Sequence, residues 1–188
     1  MTLLIVGLAL FFVAHMVPMF PARRAALVAG WGPERYKGVF SAASGLALVM
    51  IVIGYAYGDR GAQWFAPSPA AHAAAPFAMI VVFILLAAAN SPSHIRAGIK
   101  HPMLIALLIW STVHLLANGD ARGTILFGAF AVYAIVDLYS AIQRGAAKPF
   151  TPRVRADVIC IVAGTAIALL VMTFHRFLFG PRVVSFGL

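Results

Sequence analysis

Residues 100–120 read KHPMLIALLIWSTVHLLANGD. Pro102 suits the first position of a helix and His101 the boundary just before it. The Asn118-Gly119-Asp120 end is turn chemistry. Between these signals runs an apolar stretch of helical length with one imidazole, His114, set inside it. An ionisable ring in such a run is costly and calls for a functional reading.

The rest of the chain has the same character. Of its 188 residues, 63% are hydrophobic and 10% charged, and mean hydropathy is +0.96; soluble domains average about 45–50% and about 25%. This composition predicts an all-α, polytopic transmembrane bundle. Six runs are long enough to cross a core of about 30 Å, near residues 2–20, 38–57, 74–90, 102–118, 122–142 and 156–178. They form a single transmembrane domain over residues 1–188 with no extramembrane domain. Continuous apolar runs of this length lack the two-residue alternation of a membrane barrel. The first run has its positive charges behind it, at Arg23 and Arg24, so it is expected to be a retained span, not a cleaved leader.

The net charge of +9 sits in short clusters between the runs, which excludes a nucleic-acid-binding face and fits positive-inside topology. The first, third and fifth loops hold Arg23, Arg24, Arg35, Lys37, Arg96, Lys100, Arg144, Lys148, Arg153 and Arg155, ten of the 14 basic residues. Arg60, Arg122, Arg176 and Arg182 remain for the other side. Those three loops are therefore expected in the cytoplasm, with both termini on the outer side of the membrane. The loop from Pro21 to Lys37, with Trp31 and Tyr36, has interfacial character. The short turn between the fourth and fifth spans makes them antiparallel neighbours.

Within the spans, His15 shares a helix face with Leu8, Phe11 and Met19, and Gly7 leaves room for a close neighbour. His114 shares its face with Ser111 and Asn118, a polar stripe that lipid cannot satisfy. His94, Arg96, Lys100 and His101 form a basic rim suited to lipid headgroups or to the carboxylates of a cofactor. His72 and His175 read as peripheral. Asp137 needs a partner, with Arg144 or Arg96 in reach, and Asp157 suits the positive end of the last helix. Cys160 reads as a small buried hydrophobe.

The chain has no HExxH, GxSxG, P-loop or paired-cysteine zinc motif, and no CxxCH for covalent haem. Glu34 is its only glutamate, too few for a di-iron carboxylate site. What survives is a cofactor that takes imidazole ligands within apolar walls; haem fits that description and copper is the weaker option.

Five segments, in order, carry a resemblance: HMVPMFPAR from His15, ERYKGVFSAAS at 34–44, SPSHIR at 91–96, KHPML at 100–104 and HLLANGD at 114–120. Together they resemble the NnrU family of bacterial membrane proteins, related to the plant and cyanobacterial zeta-carotene isomerase, over roughly residues 1–142. The resemblance implies a membrane protein linked to denitrification and nitric oxide metabolism. Through the isomerase branch it implies a b-type haem whose redox state governs cis-to-trans isomerisation of a polyene. Its two haem-ligating histidines fall on His15 and His114. An alternative cysteine ligand falls on Ser111, and serine is a poor haem ligand, so the resemblance does not carry ligand switching to this chain. Arg23, Arg24 or Arg96 are then expected to hold the propionates. Expected partners are the bilayer and either a hydrophobic polyene or a membrane oxidoreductase; a colourless accessory role for denitrification enzymes is the cofactor-free alternative. The antiparallel spans offset His15 from His114 by about 10 Å in depth at 1.5 Å per residue, which makes His15 with His101 the rival ligand pair.

Overall fold

The computed structural model describes residues 1–147 and 149–179, and Lys148 and Arg182 of the charge count lie outside them. Eight α-helices occur among the described residues: α1 (Thr2–Met16, continued by a 3-10 turn at Val17–Met19), α2 (Pro21–Trp31), α3 (Pro33–Tyr57), α4 (Pro69–Ala88), α5 (His94–Ile99), α6 (Pro102–Asn118), α7 (Ala121–Gln143) and α8 (Val154–Phe179). The only strand-like feature among them is an isolated bridge between Gln63 and Asp120. The protein is a helical membrane bundle. Five helices are long and apolar enough to span, and α6, at 17 residues, is shorter, at the lower limit of about 17–25.

The helix boundaries follow from local chemistry. Pro21, Pro33, Pro69 and Pro102 each occupy the start of a helix, where the missing N–H costs nothing. Ser68, Ser93 and Asp120 accept backbone N–H bonds as caps of α4, α5 and α7. Gly119 closes α6 at φ 74°, and a Cβ there would collide with the Phe65 carbonyl. The segment expected as an interfacial loop is instead α2 and the first turn of α3, because Pro21 starts and Gly32 (φ 79°) ends an alanine-rich stretch of good helix formers.

In space the spans pack in the order α3, α1, α7, α6, α4, α8. Small residues set the closest approaches: a Cβ on Gly54 would lie 2.4 Å from the Leu4 nitrogen, and one on Gly164 2.6 Å from Ile84 Cα. Gly7 faces Ile51 and Ala47 in the same way. The α6 and α7 helices are antiparallel neighbours. The α1–α7 contact is sparser and largely aromatic, with Phe11 and Phe12 against Phe130 and Phe12 stacked on Tyr133.

The two ends of the bundle differ. At the end bearing Met1, the segment between α3 and α4 lies over the α6–α7 turn, with Ala121 N–H donating to Ala62 O at 2.9 Å, Arg122 N–H to Arg60 O at 3.0 Å and Trp64 N–H to Gly119 O at 2.8 Å. At the other, basic end lies a cleft of about 730 Å³.

Candidate functional site

His15 and His114 are built alike. Each is half-buried, and each ring directs Nδ1 at the carbonyl oxygen four residues earlier, Phe11 O and Trp110 O respectively, at 2.8 Å. A carbonyl only accepts, so Nδ1 carries the proton and the neutral imidazole keeps its lone pair on Nε2. That is the tautomer a metal ligand needs, with its orientation held by the second nitrogen.

The shells around the two rings are aromatic. His15 stacks on Phe11 at 3.8 Å between centroids and meets Phe40 at 5.2 Å and Tyr133 at 6.3 Å. His114 meets Trp110 at 5.3 Å and Phe127 at 5.0 Å. Phe130 joins the two shells, 5.6 Å from Phe11 and 5.5 Å from Trp110. Side chains lean toward the N-terminus of their own helix, and α1 and α6 run in opposite directions, so the two imidazoles lean toward each other.

They do not meet. His15 is thirteen residues beyond the start of α1 at the Met1 end, whereas His114 is only four residues from the end of α6 on the same side. Nine residues of rise put their Cα atoms about 13 Å apart in depth. Two imidazoles on one metal need their nitrogens roughly 4 Å apart, at about 2 Å per bond, and rings that lean toward each other shorten the Cα offset between those nitrogens. Each donor by itself fits a metal or haem iron; as a pair they are joined through Phe11, Phe130 and Trp110. Among the described residues no group of three or more His, Cys, Asp or Glu could hold a metal ion.

The remaining expected site residues divide between two places. Arg24 lies over the Tyr36 ring at 5.7 Å, Tyr36 stacks on Phe40, and Phe40 touches His15. This puts one cation on the His15 side. The Tyr36 hydroxyl is buried without a hydrogen-bond partner among the described residues, and Tyr36 and Phe40 line an apolar groove of about 140 Å³ with Ala14 and Val17. Arg23 sits over Phe20. Arg96 and His101 line the basic-end cleft instead, and no ring contact joins His101 to His15 among the described residues. Ser111 is fully buried and donates its hydroxyl to Leu107 O at 2.7 Å and Leu108 O at 3.1 Å. Asn118 donates to His114 O. The polar stripe on α6 is thus satisfied by its own backbone, the usual resource of Ser and Asn in a span.

A family model described as "NnrU protein" matches residues 3–183. The chain belongs to the NnrU family. The match takes in the last span as well as the region carrying the five motifs. No curated protein and no solved structure matches this NnrU-family chain.

Several features of this NnrU-family chain were not readable beforehand. His175 lies near the far end of α8, which packs on α4 and returns to the Met1 side. Arg122 is buried and donates from Nη1 to Tyr55 O and to Gly58 O at 2.8 Å, with its guanidinium 4.4 Å from the Tyr55 ring. It closes the carbonyl end of α3, where a cation is favoured. Asp157 accepts from His94 Nδ1 at 2.6 Å and from Ile95 N–H at 3.2 Å, so it ties α8 to α5 instead of merely answering its own helix dipole. Two features follow the sequence reading: Asp137 takes Arg144 at 3.4 Å, with the Tyr133 hydroxyl added at 3.1 Å, and Cys160 is buried.

Proposed function

We propose that this chain is an integral membrane b-type haem-binding protein, with His15 and His114 as the iron ligands and Arg24 as a partner for a haem carboxylate. The observation that carries the reading is the matched pair of imidazoles: both tethered through Nδ1, both presenting Nε2, both set against aromatic rings. Haem when bound supplies a redox-active iron. The chain's own part is to hold two imidazoles by Nδ1, to surround them with Phe11, Phe127, Phe130 and Trp110, and to set a guanidinium over Tyr36 beside the His15 shell. Both ligands acting on one iron requires the three bridging rings to give way; one histidine acting alone does not.

An absorption spectrum of protein purified after expression with ample haem, oxidised and then reduced, tests this directly. A Soret band is expected. If both His15→Ala and His114→Ala convert a six-coordinate spectrum to a five-coordinate one, the pair shares an iron. Loss of the band in only one variant assigns a single ligand. His101→Ala, at the cap of α6, leaves the spectrum unchanged on this reading, and its loss there would move the ligand to the rival position. A colourless preparation that copurifies with an oxidoreductase overturns the cofactor and favours the accessory role in denitrification.

The basic end is proposed to face the bacterial cytoplasm and the termini the periplasm, on the positive-inside balance. A second reading, haem-dependent cis-trans isomerisation of a polyene, is favoured by the apolar groove beside Phe40. That groove is smaller than the about 300–1,000 Å³ of whole-ligand sites, so it takes a section of an extended chain. Reduced holoprotein that leaves the isomer ratio of a cis-polyene unchanged counts against it.

A further inference from the structure

The cleft at the basic end lies where α6 begins at Pro102 and α7 ends at Gln143, the level at which a span passes into the headgroup region. Arg96, Lys100 and His101 line it with Leu104, Ile142 and Phe150. The lining holds no Asp or Glu among the described residues. The two acids nearest in the chain to its walls have other partners: Asp157 holds His94 and Ile95 N–H, and Asp137 holds Arg144 and Tyr133.

The three basic side chains are uncommitted, whereas the other polar groups near them are not. Arg96 is held by its guanidinium lying 4.7 Å from the Phe150 ring centroid, a contact that leaves its N–H donors available. Neither Arg96, Lys100 nor His101 makes a side-chain hydrogen bond or ion pair among the described residues. Lys100 is also the one non-glycine at positive φ, 64°, among the described residues. This unfavourable backbone turns the chain between α5 and α6 and keeps Lys100 and His101 consecutive on the cleft wall.

The cleft also reaches the bilayer. Met103 and Ile142, both lining residues, are 49% and 59% exposed, and at the first and last turns of spanning helices such apolar surface faces acyl chains. A ligand with an anionic head and an apolar body matches walls of this kind; a free anion uses only half of them.

We propose that this cleft is a binding site for an anionic phospholipid, with Arg96, Lys100 and His101 gathered on the phosphate and the acyl chains leaving past Met103 and Ile142. The site is separate from the histidine pair and does not rest on haem binding. Three donors converging on one phosphodiester are the charge-assisted arrangement that phosphate recognition uses.

The test uses the full-length protein in detergent, with retained lipid read by native mass spectrometry and stability by thermal unfolding. Added phosphatidylglycerol is expected to be retained and to raise the unfolding temperature; phosphatidylcholine, whose headgroup carries no net charge, is not. The double variant R96Q/K100Q is expected to weaken phosphatidylglycerol retention about tenfold or more, and K37Q, on the same end but outside the cleft, to leave it unchanged. If the double variant does not fold, R96K against R96Q keeps the question open to decision, since R96K should preserve binding that R96Q loses. Equal retention by wild type and R96Q/K100Q, or of phosphatidylcholine and phosphatidylglycerol, overturns the site. Stabilisation by inorganic phosphate equal to that by phosphatidylglycerol overturns the lipid as its occupant.

Discussion

The Met1 end and the basic end of the bundle solve the same problem in opposite ways. Both must terminate several helices and satisfy their last backbone groups near water. At the Met1 end the α3–α4 segment supplies carbonyls and N–H groups to the α6–α7 turn, Asp120 caps α7, and Arg122 caps α3 from the side. At the basic end Arg144 likewise donates to Pro18 O, Arg153 N–H to Pro92 O, and Asp157 holds His94, but Arg96, Lys100 and His101 stand around a cleft without such partners among the described residues. The comparison teaches where charge is structural and where it is available: a guanidinium whose donors are used by carbonyls holds the fold, and one whose donors are unused can bind.

The sharpest way to break this contrast is to remove one arginine from each end. Arg122→Met strands the Tyr55 and Gly58 carbonyls and should cost about 2–4 kcal/mol, because a bond from a charged donor is worth roughly 1.5–3 kcal/mol and the two share one nitrogen, so they do not add in full. Arg96→Met should stay within about 0.5 kcal/mol. Unfolding in detergent reads both, and equal losses would erase the distinction.

Packing offers the next comparison, within α3. Gly54→Ala near the Met1 end drives a Cβ against the Leu4 backbone and should cost about 1–3 kcal/mol. Gly45→Ala, two and a half turns nearer the basic end, meets open space and should stabilise by about 0.4–1 kcal/mol. A smaller loss, about 1 kcal/mol, is expected for Asp120→Ala, which removes the 2.6 Å bond to the Gly123 N–H at the start of α7; circular dichroism on heating would detect it. Least of all, Lys37→Ala at the basic end should change nothing measurable, since its bond to Glu34 joins side chains 69% and 84% exposed, where ion pairs contribute little.

Much of the fold was legible because spanning helices announce themselves by length. The six runs became α1, α3, α4, α6, α7 and α8, and proline starts with serine or aspartate caps marked many of their ends. What was misjudged was short or interfacial. The Pro21–Lys37 loop is mostly helix, since an alanine-rich stretch between Pro21 and Gly32 needs no spanning length to form one. Of the site, His15 and His114 stood out as imidazoles where hydrocarbon was expected. Their tethering to Phe11 O and Trp110 O follows from helix geometry alone, and so does their difference in depth.

The partners across helices were not legible. Phe130 as the ring between the two histidine shells, Arg122 on the α3 carbonyls and Asp157 on His94 all join residues 20 or more apart, and no periodicity records such pairings. Sequence by itself determined that this is a membrane bundle and which residues are chemically out of place in it, because hydropathy and local backbone geometry are properties of single segments. Only the tertiary structure decided which of those residues share a site, because that depends on the order in which the spans pack. That order follows from close approaches at Gly7, Gly54 and Gly164 and from the aromatic contact of α1 with α7.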